Sequence, residues 1–281
     1  MFDLARSVPR AAALIDGSGY GAPDPARLFD NRVAQPSIVC ATVAMWEAIR
    51  SAAPVPTLVA GYSIGELSAH AVAGAIDGSR AIELAALRAA LMDKLAADPP
   101  QAMVALGGLP QPQLRQLAQR AGFHVAIVTG PDTCIAGGLA RDVERLQQFA
   151  SAAAARTERL PVAVASHTPL MQAAVAPFAA ALEAETFTNP ACPVLAGISA
   201  SPVYGKADAV EQLSRQLAET IVWSDCMDSV AEAGISVALE LGPGAALSRM
   251  VRTLRPEIAC RSVAEFRSLQ GITDWLDAQC S

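Results

Sequence analysis

The segment GYSIGE at residues 61–66 places a serine, Ser63, between two glycines. The apolar run PTLVA precedes it and the Ala-rich segment LSAHAVAGA follows it, which predicts a strand before the serine and a helix after it. G-x-S-x-G in this setting is the nucleophile-elbow pattern, in which a sharp turn exposes the serine hydroxyl. Glycines are expected there because neighbouring backbone comes close. The pattern predicts Ser63 as a nucleophile and the N–H of Ile64 as an oxyanion donor; the alternative is a structural turn.

A serine nucleophile needs a general base, and the chain has three histidines. His70 lies seven residues beyond Ser63 on the same predicted helix, roughly 10 Å along its axis, which is too far for a direct hydrogen bond. His124 begins a predicted strand, where a structural role is the simpler interpretation. Elimination therefore favours His167.

The surroundings of His167 resemble those of the serine. It lies in VASHTPLM, at the end of the predicted strand LPVAVAS (160–166). Thr168 can cap the helix that follows, and Pro169 suits its first turn. A helix N-terminus close to the imidazole would disfavour its protonation and keep it available as a base.

A third candidate is Arg88, in the predicted helix AIELAALRAALMDKL (81–95). Its neighbours three and four residues away are all apolar: Leu84, Ala85, Leu91 and Met92. One interpretation is an arginine that extends from the edge of an apolar face to solvent. The other is a buried anchor for an anionic group, since a guanidinium pairs with a carboxylate through two hydrogen bonds. Spacing alone leaves both open.

The elements that must position these residues indicate an α/β fold. Brief apolar runs at 56–60, 160–166, 192–199, 236–241 and 258–263 are typical of strands in a mostly parallel sheet, with helices between most of them. Residues 98–163 instead follow the order βαββαβ, a ferredoxin-like pattern. We expect a large α/β domain formed by 1–97 and 164–281, and a small inserted α+β subdomain at 98–163.

The composition narrows the function class. The chain has 281 residues, 52% of them hydrophobic, and a net charge of −6, which argues against nucleic acid as a partner. The six cysteines are scattered without C-x-x-C or metal-ligand spacing, which predicts reduced thiols and no metal site. No apolar leader region or run of eighteen apolar residues occurs, so a cytoplasmic protein that does not bind membranes is expected.

Four motifs in this order resemble malonyl-CoA:acyl carrier protein transacylases: GYSIGE, ALRAALMD, VASHTPLM and ELGPGAAL (240–247). AQP (34–36) and RQL (215–217) are also similar to family segments. The resemblance covers nearly the whole chain and implies a transferase that uses malonyl-CoA as donor, with no bound cofactor.

The resemblance also implies a role for each residue. Ser63 attacks the malonyl-CoA thioester and His167 takes its proton, while Arg88 holds the malonyl carboxylate. The backbone carbonyl of Gln216 orients His167 in place of an aspartate. The malonyl group then passes to the pantetheine thiol of an acyl carrier protein or carrier subunit.

Two departures from the family pattern bear on activity and pathway. The family begins with a strand and a G-Q-G-x-Q loop that supplies a second oxyanion N–H; here the sequence starts at Met1 without it, which predicts a truncated or misassigned start and a loss of roughly 10²–10³ in rate. Tyr62 replaces the usual histidine, and TGPDTC (129–134) replaces N-x-P-x-Q. At these positions the sequence is more similar to the transacylase (epsilon) subunit of malonate decarboxylase than to the standard enzyme of fatty-acid synthesis.

Two other functions stay open at this stage. A serine hydrolase of the α/β-hydrolase type uses the order Ser, Asp/Glu, His, with the base late in the chain. Here His167 is the last histidine and more than a hundred residues follow it, which favours a transferase. A catalytically impaired scaffold subunit is the other alternative, because the N-terminal loop is missing.

Overall fold

Residues 1–280, the part described by the computed structural model, form twelve α-helices and ten β-strands. The helices are α1 (Phe2–Ala5), α2 (Pro9–Ser18), α3 (Asn31–Ile49), α4 (Gly65–Val72), α5 (Gly78–Ala96), α6 (Gln111–Arg120), α7 (Val143–Ala152), α8 (Gln172–Ala184), α9 (Lys206–Arg215), α10 (Trp223–Glu232), α11 (Ala246–Leu254) and α12 (Leu269–Cys280). The strands are β1 (Val59–Ala60), β2 (Gln101–Gly107), β3 (His124–Gly130), β4 (Thr133–Leu139), β5 (Arg156–Arg159), β6 (Val194–Leu195), β7 (Pro202–Val203), β8 (Ile221–Val222), β9 (Val237–Glu240) and β10 (Ala259–Ser262).

Two short parallel strand pairs form the α/β part of the molecule. β1 pairs with β6, and β9 pairs with β10, both in parallel; β7 adds to β6 in the antiparallel direction. The predicted strands at 56–60, 192–199, 236–241 and 258–263 are therefore present in shortened form. The α/β class is confirmed.

The predicted strand at 160–166 is wrong. The preceding strand, β5, ends at Arg159. The N–H of Leu160 still donates to the carbonyl of Met103 in β2, and the chain then crosses toward the α/β part. Pro161 has no N–H to donate to a ladder. The N–H of Ala165 donates instead to the side chain of Gln101, and that of Ser166 donates to the carbonyl of Val164 in a tight turn.

A five-stranded sheet in the order β5-β2-β4-β3-β8 forms the second part. Its elements from β2 to β5 occur in the predicted order βαββαβ, and α6 and α7 pack on one face through Leu114 and Leu146, beside Phe123 from the segment before β3. The fifth strand, β8, pairs in parallel with β3 and comes from much later in the chain. The limits 98–163 stay a proposal for the inserted subdomain, with the sheet itself continuing beyond them.

The two longest helices, α3 and α5, pack against each other and carry much of the largest hydrophobic cluster. Asp77 caps α5, since its carboxylate accepts from the N–H groups of Ser79 and Arg80. The buried residues of α5 recur with helical spacing. They are apolar except for Arg88. None of the helices within residues 1–280 combines the length and hydropathy needed to cross a bilayer.

Candidate active site

The GYSIGE segment forms a sharp turn between β1 and α4. Ser63 lies at the turn with φ of 54°, in the left-handed region that side chains rarely adopt. A Cβ on Gly61 would lie 2.2 Å from the backbone nitrogen of Glu66, so only glycine fits there. At Gly65 a Cβ would meet nothing within 4 Å. The expected close approach of backbone is confirmed for the first glycine and wrong for the second.

The residue after the nucleophile lies at the N-terminus of α4. The hydrogen bonds that close the elbow leave from the N–H groups of Gly65 and Glu66, so the N–H of Ile64 is not used to close the turn. The N-terminus of a helix carries partial positive charge from its unpaired N–H groups. A developing negative charge beside Ser63 would be stabilised at this point.

Ser63 and His167 meet although they are 104 residues apart. The hydroxyl Oγ lies 2.7 Å from Nε2 of the imidazole. The other ring nitrogen, Nδ1, lies 2.5 Å from the backbone carbonyl oxygen of Gln216. A carbonyl can only accept, so Nδ1 carries the proton and Nε2 is left as the acceptor for the serine O–H. This is the tautomer that a general base for Ser63 requires.

The environment keeps His167 uncharged. It is 1% exposed, and burial lowers the pKa of its imidazole to about 3, with the charge of Arg88 lowering it further and the Gln216 hydrogen bond opposing. The expected helix cap is wrong: the Thr168 hydroxyl donates to the carbonyl of Ala165, and a 3₁₀ turn at Pro169–Met171 precedes α8. Desolvation is therefore the main reason that the base is neutral.

Arg88 is 3% exposed, which excludes the interpretation as an arginine that reaches solvent. Its Nη1 donates to Oε1 of Gln35 at 2.6 Å, and its Nη2 donates to Oε1 of Gln216 at 3.3 Å. Burial lowers the pKa of the guanidinium to about 10, with Glu66 opposing, so the group stays charged at neutral pH. Two of its five N–H groups have protein partners here, so others are free to meet a ligand anion.

Gln216 joins the base to the arginine. Its backbone carbonyl accepts from His167, while its side-chain oxygen accepts from Arg88. Its side-chain Nε2 donates to Oε2 of Glu66 at 2.5 Å. One buried residue therefore positions both groups.

Glu66 and Gln35 are site residues that the sequence patterns did not single out. Glu66 is 1% exposed, and burial raises the pKa of its carboxyl to about 7. Its Oε2 also accepts from the N–H of Gly197 at 2.9 Å, while Oε1 has no hydrogen-bond partner within residues 1–280. The available signals were the glutamate three residues after Ser63 and the AQP motif, which were noted without an assigned role.

The other two histidines do not contact the nucleophile. His70 is buried against Phe187, and neither of its ring nitrogens has a hydrogen-bond partner in the described chain. Burial lowers the pKa of its imidazole to about 4. His124 is exposed at the start of β3 and lines a cavity of about 410 Å³ that also touches His167. Of the three histidines, only His167 contacts Ser63, and its role as the base stays a proposal.

The site combines a serine hydroxyl bonded to a neutral imidazole with a helix N-terminus and a buried arginine. This combination is suited to acyl transfer through a serine ester. Comparison with known proteins agrees. The model of the acyl transferase domain family matches residues 22–268. The chain belongs to this family.

Individual relatives and solved structures within this family are similar to the chain. The malonyl CoA-acyl carrier protein transacylase of Mycolicibacterium smegmatis is 32% identical over 201 residues, which cover 71% of this chain and 69% of the relative. The crystal structure of FabD from Acinetobacter baumannii has a TM-score of 0.90 at 26% identity, covering 99% of this chain and 92% of that one. A malonyl-transacylase solved in complex with a type II polyketide synthase acyl-carrier protein has a TM-score of 0.89 at 26% identity, covering 97% and 91%. The predicted resemblance to malonyl-CoA:acyl carrier protein transacylases and the predicted fold are confirmed, whereas the malonate decarboxylase subunit stays a prediction.

Proposed function

We propose that the protein transfers a malonyl group from malonyl-CoA to the thiol of an acyl carrier protein through a malonyl ester on Ser63. The observation that carries this proposal is that Gln216 bonds both His167 and Arg88. An ordinary serine esterase needs the hydroxyl and the imidazole. A buried, charged arginine in the same network adds a partner for an acyl group that ends in a carboxylate.

The first half-reaction loads the enzyme. As the Ser63 oxygen attacks the thioester carbonyl, its proton passes to Nε2 of His167, 2.7 Å away. The carbonyl oxygen becomes an oxyanion, and the N–H of Ile64 stabilises it at the N-terminus of α4. The C–S bond then breaks, and His167 returns its proton to the departing CoA thiolate. The products are malonyl-Ser63 and CoA.

The second half-reaction reverses these roles. The pantetheine thiol of the carrier gives its proton to Nε2 of His167 and attacks the ester carbonyl of malonyl-Ser63. The C–O bond breaks, and the proton returns to the serine oxygen. No bound cofactor is needed, because both steps exchange one acyl bond for another.

Arg88 supplies the selectivity. Its remaining N–H groups can bond both oxygens of the malonyl carboxylate, and acetyl-CoA offers no such acceptor. Hydrogen bonds to charged groups are worth about 1.5–3 kcal/mol each, enough to select malonyl over acetyl.

We also propose an acceptor for the malonyl group and a cellular location for the protein. The relatives include transacylases of acyl carrier proteins, which supports a protein-bound pantetheine thiol as the acceptor. Tyr62, which packs edge-on against Trp223, is one of the departures that motivate a carrier subunit of malonate decarboxylase as the acceptor. A cytoplasmic location fits both carriers.

Intact-mass spectrometry after mixing with malonyl-CoA tests the proposal. We expect the mass to increase by one malonyl group, with peptide mapping to Ser63, and the adduct to disappear when a carrier with its pantetheine arm is added. Ser63→Ala should give no adduct. Ser68→Ala is the matched control, since Ser68 is a buried serine on α4 with no hydrogen-bond partner in the described chain.

Two results would contradict the proposal. Release of free malonate at the same rate with and without carrier would identify a hydrolase. Absence of any adduct, also in a version extended upstream of Met1, would favour a scaffold role.

A further inference from the structure

A row of hydrogen bonds leads from Arg88 toward the protein surface. Nη1 of Arg88 donates to Oε1 of Gln35 at 2.6 Å, and Nε2 of Gln35 donates to Oδ1 of Asn31 at 2.6 Å. Nδ2 of Asn31 then donates to Oδ1 of Asp93 at 2.8 Å. The row ends at a carboxylate that has no role in the transfer steps.

The two ends of the row determine its direction. A guanidinium can only donate, and an ionised carboxylate can only accept. Between Arg88 and Asp93, both amides must therefore turn their oxygens toward Arg88 and their N–H₂ groups toward Asp93. The carbonyl of Ala89 also accepts from Nδ2 of Asn31, at 3.1 Å, which favours the same orientation.

Two packed helices hold the row in place. Asn31 and Gln35 are one turn apart on α3, and Arg88 and Asp93 lie on α5. Arg88 and Gln35 are buried, whereas the side chain of Asp93 is 27% exposed. Its second oxygen, Oδ2, accepts from Nε of Arg32 at 3.0 Å.

The carboxylate at the outer end of the row determines which side of the Gln35 amide faces Arg88 at the inner end. If the amide of Gln35 turned over, its N–H₂ group would face the guanidinium, and two donors would oppose each other. The guanidinium would then lose a partner and shift. Asp93 disfavours this arrangement, because its carboxylate accepts a hydrogen bond from Nδ2 of Asn31 and so holds Asn31, and through it Gln35, in one orientation.

We propose that Asp93, acting through Asn31 and Gln35, is a positioning residue that holds the guanidinium of Arg88 in place for the malonyl carboxylate. This inference rests on the proposed malonyl transfer. Asp93 touches neither the substrate nor the reacting atoms, so its effect belongs to the selectivity between malonyl and acetyl groups.

The test compares Asp93→Asn with Glu83→Gln, a carboxylate-to-amide change at an exposed site on the same helix. Serine acylation is measured with malonyl-CoA and with acetyl-CoA on the full chain. For Asp93→Asn we expect kcat/KM for malonyl-CoA to fall roughly three- to tenfold, mainly through KM, because the new amide can present either its oxygen or its N–H₂ group to Asn31 and no longer fixes the direction of the row. Acetyl-CoA should be unaffected. Glu83→Gln should leave both substrates unchanged.

Two further variants separate positioning from a structural role. Asn31→Ala interrupts the row at a second point and should reproduce the malonyl defect. In an Arg88→Ala background, Asp93→Asn should have no further effect, because the row then has nothing to position. An additional loss in that background would overturn the inference, as would equal losses with both substrates.

The outcomes also separate this inference from the proposed function. If the unmodified protein takes up no malonyl group, the proposed function fails and the inference fails with it. If Arg88→Ala abolishes the malonyl preference while folded Asp93→Asn and Asn31→Ala both keep it, only the positioning role is refuted.

Discussion

Replacing Arg88 with alanine is the perturbation that most directly tests the selectivity of the site. The structure uses two of the five guanidinium N–H groups for Gln35 and Gln216, so the others are available to a carboxylate. A hydrogen bond to a charged group is worth about 1.5–3 kcal/mol, and each 1.4 kcal/mol is about tenfold in kcat/KM. Loss of a single such bond predicts a decrease of roughly ten- to 150-fold with malonyl-CoA.

Acetyl-CoA should respond differently to the same change. It has no carboxylate for Arg88, so Arg88→Ala should leave its kcat/KM unchanged or higher. The charge of Arg88 lowers the pKa of His167, so its removal should raise that pKa. Activity at low pH requires a neutral His167, and the acid limb of acetyl loading should therefore move to higher pH in the variant.

The assay is the rate of Ser63 acylation with each donor, followed by quenching and intact-mass spectrometry across a pH series. Arg88→Lys is the companion variant, because it keeps the charge but cannot bond both carboxylate oxygens in the planar geometry of arginine. It should retain an intermediate malonyl preference. Thermal unfolding of both variants shows whether the buried partners of Arg88 still support the fold.

Equal losses with malonyl-CoA and acetyl-CoA in a folded Arg88→Ala variant would refute the anchor role. So would an Arg88→Ala variant that still prefers malonyl-CoA as strongly as the unmodified protein. Either result would mean that the guanidinium serves the structure of the site and does not bind substrate.

Two further predictions concern stability and the elbow. Burial lowers the pKa of His70 to about 4, below its ordinary value of about 6.5, so the unfolded chain takes up a proton first and stability is lost as the pH falls from about 6.5 toward 4. The unfolding free energy, measured by urea unfolding, should fall between pH 7 and pH 5 by roughly 2 kcal/mol less in His70→Leu than in the unmodified protein. Identical pH dependence in both proteins would contradict this. Gly61→Ala should slow acylation of Ser63 about a hundredfold, because its Cβ would overlap the backbone of α4 and displace the serine. Gly65→Ala is its control and should acylate normally; comparable activity in both variants would show that the close contact does not constrain the elbow.

Much of the site could be predicted from local pattern. The turn around Ser63 was predicted from six consecutive residues, and the small number of histidines left His167 as the predicted base. The βαββαβ order of the second sheet also followed from local signals, since turn residues and changes of hydrophobic period mark each boundary there.

Two local expectations failed because the groups concerned bond to other partners. The apolar run at 160–166 has the composition of a strand, yet Pro161 and the side chain of Gln101 prevent a ladder from forming. Thr168 stands where a helix cap is expected, but its hydroxyl bonds the carbonyl of Ala165. At 160–166 a side chain 64 residues away outweighs the local preference, whereas at Thr168 another local hydrogen bond, three residues back, takes the place of the cap.

The sequence by itself determined the family and predicted Ser63 as the nucleophile and His167 as the base, because these inferences depend on residue types in short, ordered motifs. Only the tertiary structure excluded solvent exposure of Arg88, which spacing left open beside the proposed role of an anchor. Its side chain is buried, and the amide oxygens of Gln35 and Gln216 accept hydrogen bonds from its guanidinium. The two amides lie 53 and 128 residues from Arg88 along the chain, and no local pattern records such contacts; they exist only once the helices pack.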